Sequence, residues 1–265
     1  MSRAVAGPMI AADLLKLRRH RPTMTAAAAL SVGVTALYLA VVLARHNGRL
    51  PGAQTLGDGT SLVGLYFGSF AAILIGTEAG TIDVTAGVFR DLAATGRSRT
   101  ALFLTRIPAA VAVALVFTLA GFLLTVAAAC AFHGSAPAPG PGLIAGSGLW
   151  VALATAVVTA LAVGVGSLTG SRAVSLTAII GWQTVASGML YLATFLGAAR
   201  DLVLAFAVDR FQPGPAIGTR ANPGSSNALN NLKLPMPAVV AALVILGWLI
   251  LPAVAGAWRT RSRDA

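Results

Sequence analysis

Long apolar runs alternate with short polar stretches along this chain. The runs cover residues 24–44, 62–79, 103–132, 143–168, 174–199 and 236–257. A helix crosses bilayer hydrocarbon with about 20 mostly apolar residues, and each run reaches or approaches that length. The runs carry two charges, Glu78 at the end of the second and Arg106 near the start of the third. Backbone polar groups in hydrocarbon must be satisfied within their own segment, so each run predicts a helix. The pattern predicts an all-α polytopic membrane protein with about six transmembrane helices in a single domain, residues 1–265.

The stretches between the runs predict smaller elements. Residues 9–21, MIAADLLKLRRHR, place Ile10, Leu14, Leu17 and Arg21 at helical spacing beside Lys16, Arg18 and Arg19. This reads as a short interfacial helix on the inner leaflet, ended by Pro22. Residues 45–61 read as a Gly-rich outer loop and 80–102 as an inner connection. Residues 133–142 read as a Pro/Gly outer turn, and 169–173 as an inner turn that makes a tight hairpin of the fourth and fifth runs. The longest loop, 200–235, opens with RDLVLAFAVDRF, enough for a short helix at the outer surface, and continues in turn residues. The first run is too long for a secretory signal core, and five more follow, so it reads as a retained helix.

Composition agrees, with 57% hydrophobic and 10% charged residues and a mean hydropathy of +0.82. The net charge of +11 sharpens the picture through its distribution. With the N-terminus inside, thirteen of the nineteen Lys and Arg residues fall on inner segments and six on outer ones. Four of those six sit in the longest loop, where the bias counts least. The expected topology therefore has both termini in the cytoplasm. The charge suits anionic lipid rather than nucleic acid. Cys130 is the single cysteine, so there is no disulfide framework, and it reads as a small apolar filler.

Motifs for chemistry are missing. There is no GxxxxGK[ST], HExxH or GxSxG. His20, His46 and His133 lie outside the runs, and no run carries paired acids at its centre. No catalytic residue, metal or cofactor is expected, and an ion-coupled carrier is disfavoured. GxxxG spacing at Gly76/Gly80, Gly142/Gly146 and Gly166/Gly170 permits close helix approach. In the fifth run Gln183, Ser187, Tyr191 and Thr194 recur at helical spacing. That face either lines a translocation path or bonds a neighbouring helix.

The most informative stretch is EAGTIDVTAGVFRDLAATGRSRTALFLTR, residues 78–106. It mixes the acids Glu78, Asp83 and Asp91 with Arg90, Arg97, Arg99 and Arg106. Gly96 is a helix stop and Ser98 a cap for the next helix. The reading is helix, turn, helix, with Val84, Val88 and Leu92 on one apolar face.

Taken with the basic LLKLRRHRP ahead of the first run, the order of six runs and the long loop before the last, this stretch resembles the permease subunit of type-2 ABC exporters. In many members the inner element reads Glu, a few residues, Gly, a helix, then Pro-x-Ser-Arg. This chain has Gly87 nine residues after Glu78, and Thr95-Gly96-Arg97-Ser98-Arg99 in place of the Pro turn. It is similar to an actinobacterial-like subgroup with G-V-F-R-D-L-x-A-T-G-R-S-R. The resemblance implies a membrane-spanning exporter permease that performs no covalent chemistry. It implies a separate ABC ATPase subunit and a second copy or homologous permease as partners. It also implies that 80–102 couples to the ATPase, through Asp83, Gly87, Phe89, Arg90, Asp91, Arg97 and Arg99. Lipids, peptides, drugs, polyketides and ions all fit as the exported substrate. Two rivals are a non-transport scaffold or immunity-type membrane protein and a membrane enzyme without recognisable motif.

Overall fold

The computed structural model describes residues 3–50, 52–87, 98–135, 137–213 and 236–262, without the side chains of residues 3–6, 99, 191, 192, 194, 261 and 262. All regular elements among them are helical. Six helices are long and apolar enough to cross a membrane: Arg21–Arg45, Gly52–Thr85, Thr100–Ala131, Pro141–Thr169, Arg172–Leu190 and Ala238–Thr260. We term these spans one to six. An even number of crossings puts both termini at one end of the bundle, the terminal end; the other is the far end. A further helix, Arg3–Arg19, precedes span one.

Local signals set most boundaries. Ser98 is extended, and its hydroxyl accepts the Ala101 N–H at 3.2 Å, capping span three as expected. Ser171 caps span five in the same way, accepting from Val174 at 3.5 Å. Gly170 takes φ +69° and stops span four, so spans four and five form the predicted tight hairpin.

Spans two and four form the core. Their apolar windows are 67% buried, against 17% for spans five and six. Glycine allows the contact: a Cβ at Gly76 would lie 2.6 Å from the Thr159 carbonyl, and one at Gly80 2.6 Å from that of Val163. With the backbones this near, the Ser167 hydroxyl donates to Gly80 O at 3.2 Å. Gly166 joins the same contact, where a Cβ would lie 3.1 Å from the Thr77 carbonyl, but the other members of the remaining matches act differently. Gly142 faces open space, and Gly170 is the helix stop.

Four expectations need correction. Span two starts at Gly52, so most of the expected outer loop 45–61 is helix. At 34 residues the span is about 51 Å long. Its first turns are polar yet buried in the bundle, and Gln212 Nε2 donates there to Gly57 O at 3.3 Å and Ser61 Oγ at 2.6 Å. Hydropathy registers a preference for lipid and is blind to polar neighbours supplied by protein.

The fifth run does not continue to 199. Its helix ends at Leu192, and Thr194–Leu202 form a 3₁₀ stretch bent at Gly197, φ +50°. The short helix foreseen after 200 exists as Leu204–Asp209, but it is inserted rather than superficial. Leu204, Ala207 and Val208 are buried, and Trp150 Nε1 donates to Val208 O at 2.8 Å. Residues 214–235 of the long loop lie outside the described residues.

The N-terminal helix breaks at His20, while Pro22 sits in the first turn of span one, where its missing N–H costs nothing. Met9 and Leu17 are buried and the helix packs on span three, while Leu15 is exposed. Arg18 and Arg19 remain exposed. Finally, three spans contain a π-helical turn: Ala29–Gly33, Leu62–Tyr66 and Trp182–Ala186. Such turns shift side-chain register and free a carbonyl.

Candidate functional site

Seven titratable side chains meet at the terminal end, organised by two acids of span two. Glu78 and Asp83 are five residues apart, about 140° around a helix, so they face different neighbours. Asp83 faces the N-terminal helix and span three. Arg106 Nη2 donates to its Oδ2 at 2.6 Å, and Lys16 Nζ to its Oδ1 at 3.0 Å. Lys16 also reaches Asp13 at 3.4 Å, and Thr105 donates to Asp13 Oδ2 at 3.0 Å. Glu78 faces the start of spans one and five. Arg172 Nη1 lies 2.9 Å from its Oε2, and Thr23 donates to the same oxygen at 3.2 Å. His20 Nε2 is 3.5 Å from Oε1, and its Nδ1 is 2.8 Å from the Thr23 hydroxyl. Arg172 Nη2 also donates to Thr23 at 3.2 Å, so Thr23 is the junction of that group.

Formal charge balances across the cluster. Asp13, Glu78 and Asp83 oppose Lys16, Arg106 and Arg172, with His20 beside Glu78. The pairs differ in weight. Arg106 and Asp83 are 3% and 5% exposed, and removing one partner of such a pair costs about 3–5 kcal/mol because the other is stranded without water. Lys16 and Arg172 are about a third exposed, so solvent screens their share.

The cluster joins four segments distant in sequence: 13–23, 78–83, 105–106 and 172. It also brackets the 80–102 connection. Asp83 lies four residues before Gly87, and Arg106 eight after Ser98. Their ion pair therefore ties together the two helices from which residues 88–97 leave and to which they return.

The sequence-predicted residues separate on this frame. Asp83 turns into the bundle and is engaged there by Arg106. Gly87 is exposed at φ +70°, and its N–H reaches Val84 O at 3.2 Å. The helix of span two therefore stops before Gly87; Val88 and Leu92, which the expected apolar face pairs with Val84, lie outside the described residues. Phe89, Arg90, Asp91 and Arg97 lie outside the described residues. Arg99 opens the helix of span three, its side chain outside the description.

The fifth-run face is not one stripe. A π-helical turn separates Gln183 from Ser187, and Thr194 lies past the helix end. Gln183 Nε2 donates to Leu65 O at 2.9 Å and to Ser69 Oγ at 3.4 Å, bonding span five to span two. Leu65 belongs to the π-helical turn of span two and Gln183 to that of span five, so one irregular turn caps the other. Ser187 donates to Trp182 O at 2.9 Å, within its own span. The Tyr191 and Thr194 side chains lie outside the description.

Sequence reasoning did not assign Asp13, Lys16, His20, Thr23, Glu78, Arg106 or Arg172 to a site. A signal existed for three. Glu78 and Arg106 are the charges inside apolar runs, and Arg172 is the lone cation of a five-residue turn. Charges are retained in such places when they have partners. Among the described residues no group of His, Cys, Asp and Glu could hold a metal ion. No family model matches the chain, and no curated protein matches it.

Proposed function

We propose that this chain is the membrane-spanning permease subunit of an ATP-driven ABC exporter, with both termini and the ion cluster on the cytoplasmic side. In this reading residues 88–97 engage a separate ATPase, and two permeases enclose the translocation path. The observation that supports it most is the buried Asp83–Arg106 pair at 2.6 Å, which braces both ends of the 80–102 connection. Such a brace suits a connection that transmits force from a partner, because it makes the two helices move together. The Lys16 bond to Asp83 adds the N-terminal helix to the same rigid body. Force received at 88–97 then reaches spans two and three together, and span five through Glu78 and Arg172.

The test is purification of the full chain in mild detergent from its own membranes. A stoichiometric partner that carries a GxxxxGK[ST] loop and hydrolyses ATP is expected. Phe89→Ala and Arg90→Glu should release that partner while the permease remains inserted, and Ser262→Ala should not. Retention of wild-type association and hydrolysis in both hinge variants returns 88–97 to a plain linker and refutes the reading.

A further inference from the structure

Spans four, five and six do not close on one another at mid-depth. They leave a cavity of about 220 Å³ whose back wall is span four at Val158 and Leu161. Ala178, Trp182 and Gln183 of span five form one side, and Trp248 of span six the other. Gln183 is the polar side chain of this wall, and its amide nitrogen is already committed to Leu65 O and Ser69 Oγ.

The depth is set by the helices. Ala178 and Gln183 are about 9 and 17 Å along span five from Arg172, at 1.5 Å per residue. Trp248 is about 15 Å along span six from Ala238 by the same rise. In a bilayer the cavity therefore sits among acyl chains, far from either water interface. An apolar cavity of about 150 Å³ in a soluble protein stays dry and takes up apolar guests. This one is larger, equally short of free polar partners, and surrounded by alkyl chains at high concentration.

An access route is present. Trp248 also borders a wider apolar recess of about 550 Å³ on span six, together with Leu243 and Leu251, both strongly exposed. The indole is held as a post between the two spaces. Its Nε1 donates to Leu202 O at 2.8 Å, and its ring lies 5.5 Å from that of Trp182.

We propose that the cavity between spans four, five and six is a binding site for one acyl chain of a bilayer lipid, which lies in the span-six recess and enters past Trp248. The proposal needs the six spans to cross a membrane and stands apart from any transport function. The bound chain ends against Gln183, the residue that bonds span five to span two, so it fills the space that would let span five fall back onto span four.

The test uses the full chain in phosphatidylcholine vesicles containing a small fraction of phosphatidylcholine with a diazirine on one acyl chain. After photolysis, peptide mapping locates the label. Label on Val158 and Leu161 is expected in addition to label on Leu243 and Leu251. Ala178→Phe, which fills the cavity from its span-five wall, should abolish the first and leave the second, and the second also reports that the variant is folded. Ala178→Leu is a milder plug, used if the Phe variant loses the span-six label. Wild-type label confined to Leu243 and Leu251, or a span-four label that survives both plugs, overturns the site. A parallel reaction with free diazirine fatty acid fixes the source: span-four label from the fatty acid and none from the diacyl lipid overturns the lipid assignment.

Discussion

Span two is polar at both ends, and the two ends solve the problem differently. At the far end, residues 52–61 are mostly glycines and hydroxyls, with Gln54 and one acid, Asp58, 3.5 Å from the Tyr38 hydroxyl. Neutral groups dominate, and several buried atoms there have no hydrogen-bond partner among the described residues: Thr55 Oγ1, Thr60 Oγ1 and Gln212 Oε1. At the terminal end the polar groups form ion pairs: each carboxylate oxygen of Asp83 meets a cation, and those of Glu78 meet Arg172 and His20. An orphaned hydroxyl costs about 1–3 kcal/mol and is tolerated. An orphaned buried charge costs more and is not. The far end is thus a seam that can adjust, and the terminal end a joint that holds one geometry.

Substitutions can break this contrast, and the largest effect belongs to the joint. Arg106→Leu leaves buried Asp83 with Lys16 alone and should lower stability by about 3–5 kcal/mol, read as a fall in the unfolding midpoint in detergent. The double variant Asp83→Leu/Arg106→Leu should recover most of that loss, because two apolar groups replace two desolvated charges. If the double variant is as unstable as the single, the pair is not what holds the joint.

Arg172→Met should cost less, about 1 kcal/mol, since the guanidinium is partly exposed and Glu78 keeps Thr23 and His20. Raising the salt concentration should shrink this difference, whereas the Arg106→Leu deficit should persist, because buried pairs are little screened.

The seam should respond weakly. Gln212→Leu removes the bonds to Gly57 O and Ser61 but also removes an unpartnered oxygen, for a net loss of about 0.5–1.5 kcal/mol. Thr60→Val replaces a hydroxyl that has no partner among the described residues by a methyl of the same shape, and should be neutral or stabilising. A loss at Thr60 as large as that at Arg106 would erase the distinction between the ends.

The contrast also shows which parts of the molecule the chain reveals. Apolar runs locate the middle of each span, because lipid reads the same property as hydropathy. The Ser98 cap and the stop before Ser171 were legible, because each depends on one residue and its near neighbours. The start of span two was not, because Gly52 to Ser61 are polar and owe their helix to neighbours such as Gln212, about 150 residues away. The stripe on span five failed for another reason: a π-helical turn between Gln183 and Ser187 resets the angular register that periodicity assumes. For the site, Glu78 and Arg106 drew notice as charges in apolar runs, but their partners did not. Lys16, Thr23 and Arg172 reach them only through tertiary packing, and nothing local pairs residue 16 with 83 or 172 with 78.

In the proposed function, the Asp83–Arg106 brace turns the 80–102 connection into a lever driven by an ATPase. The most direct measurement is ATP hydrolysis by the purified permease–ATPase complex in nanodiscs, with Asp83→Arg, Arg106→Asp and the double swap compared with wild type. Both single reversals are expected to lose coupled hydrolysis, and the double swap, which restores opposite charges across the same gap, to regain it. Single variants that remain assembled and hydrolyse ATP at the wild-type rate would contradict the claim.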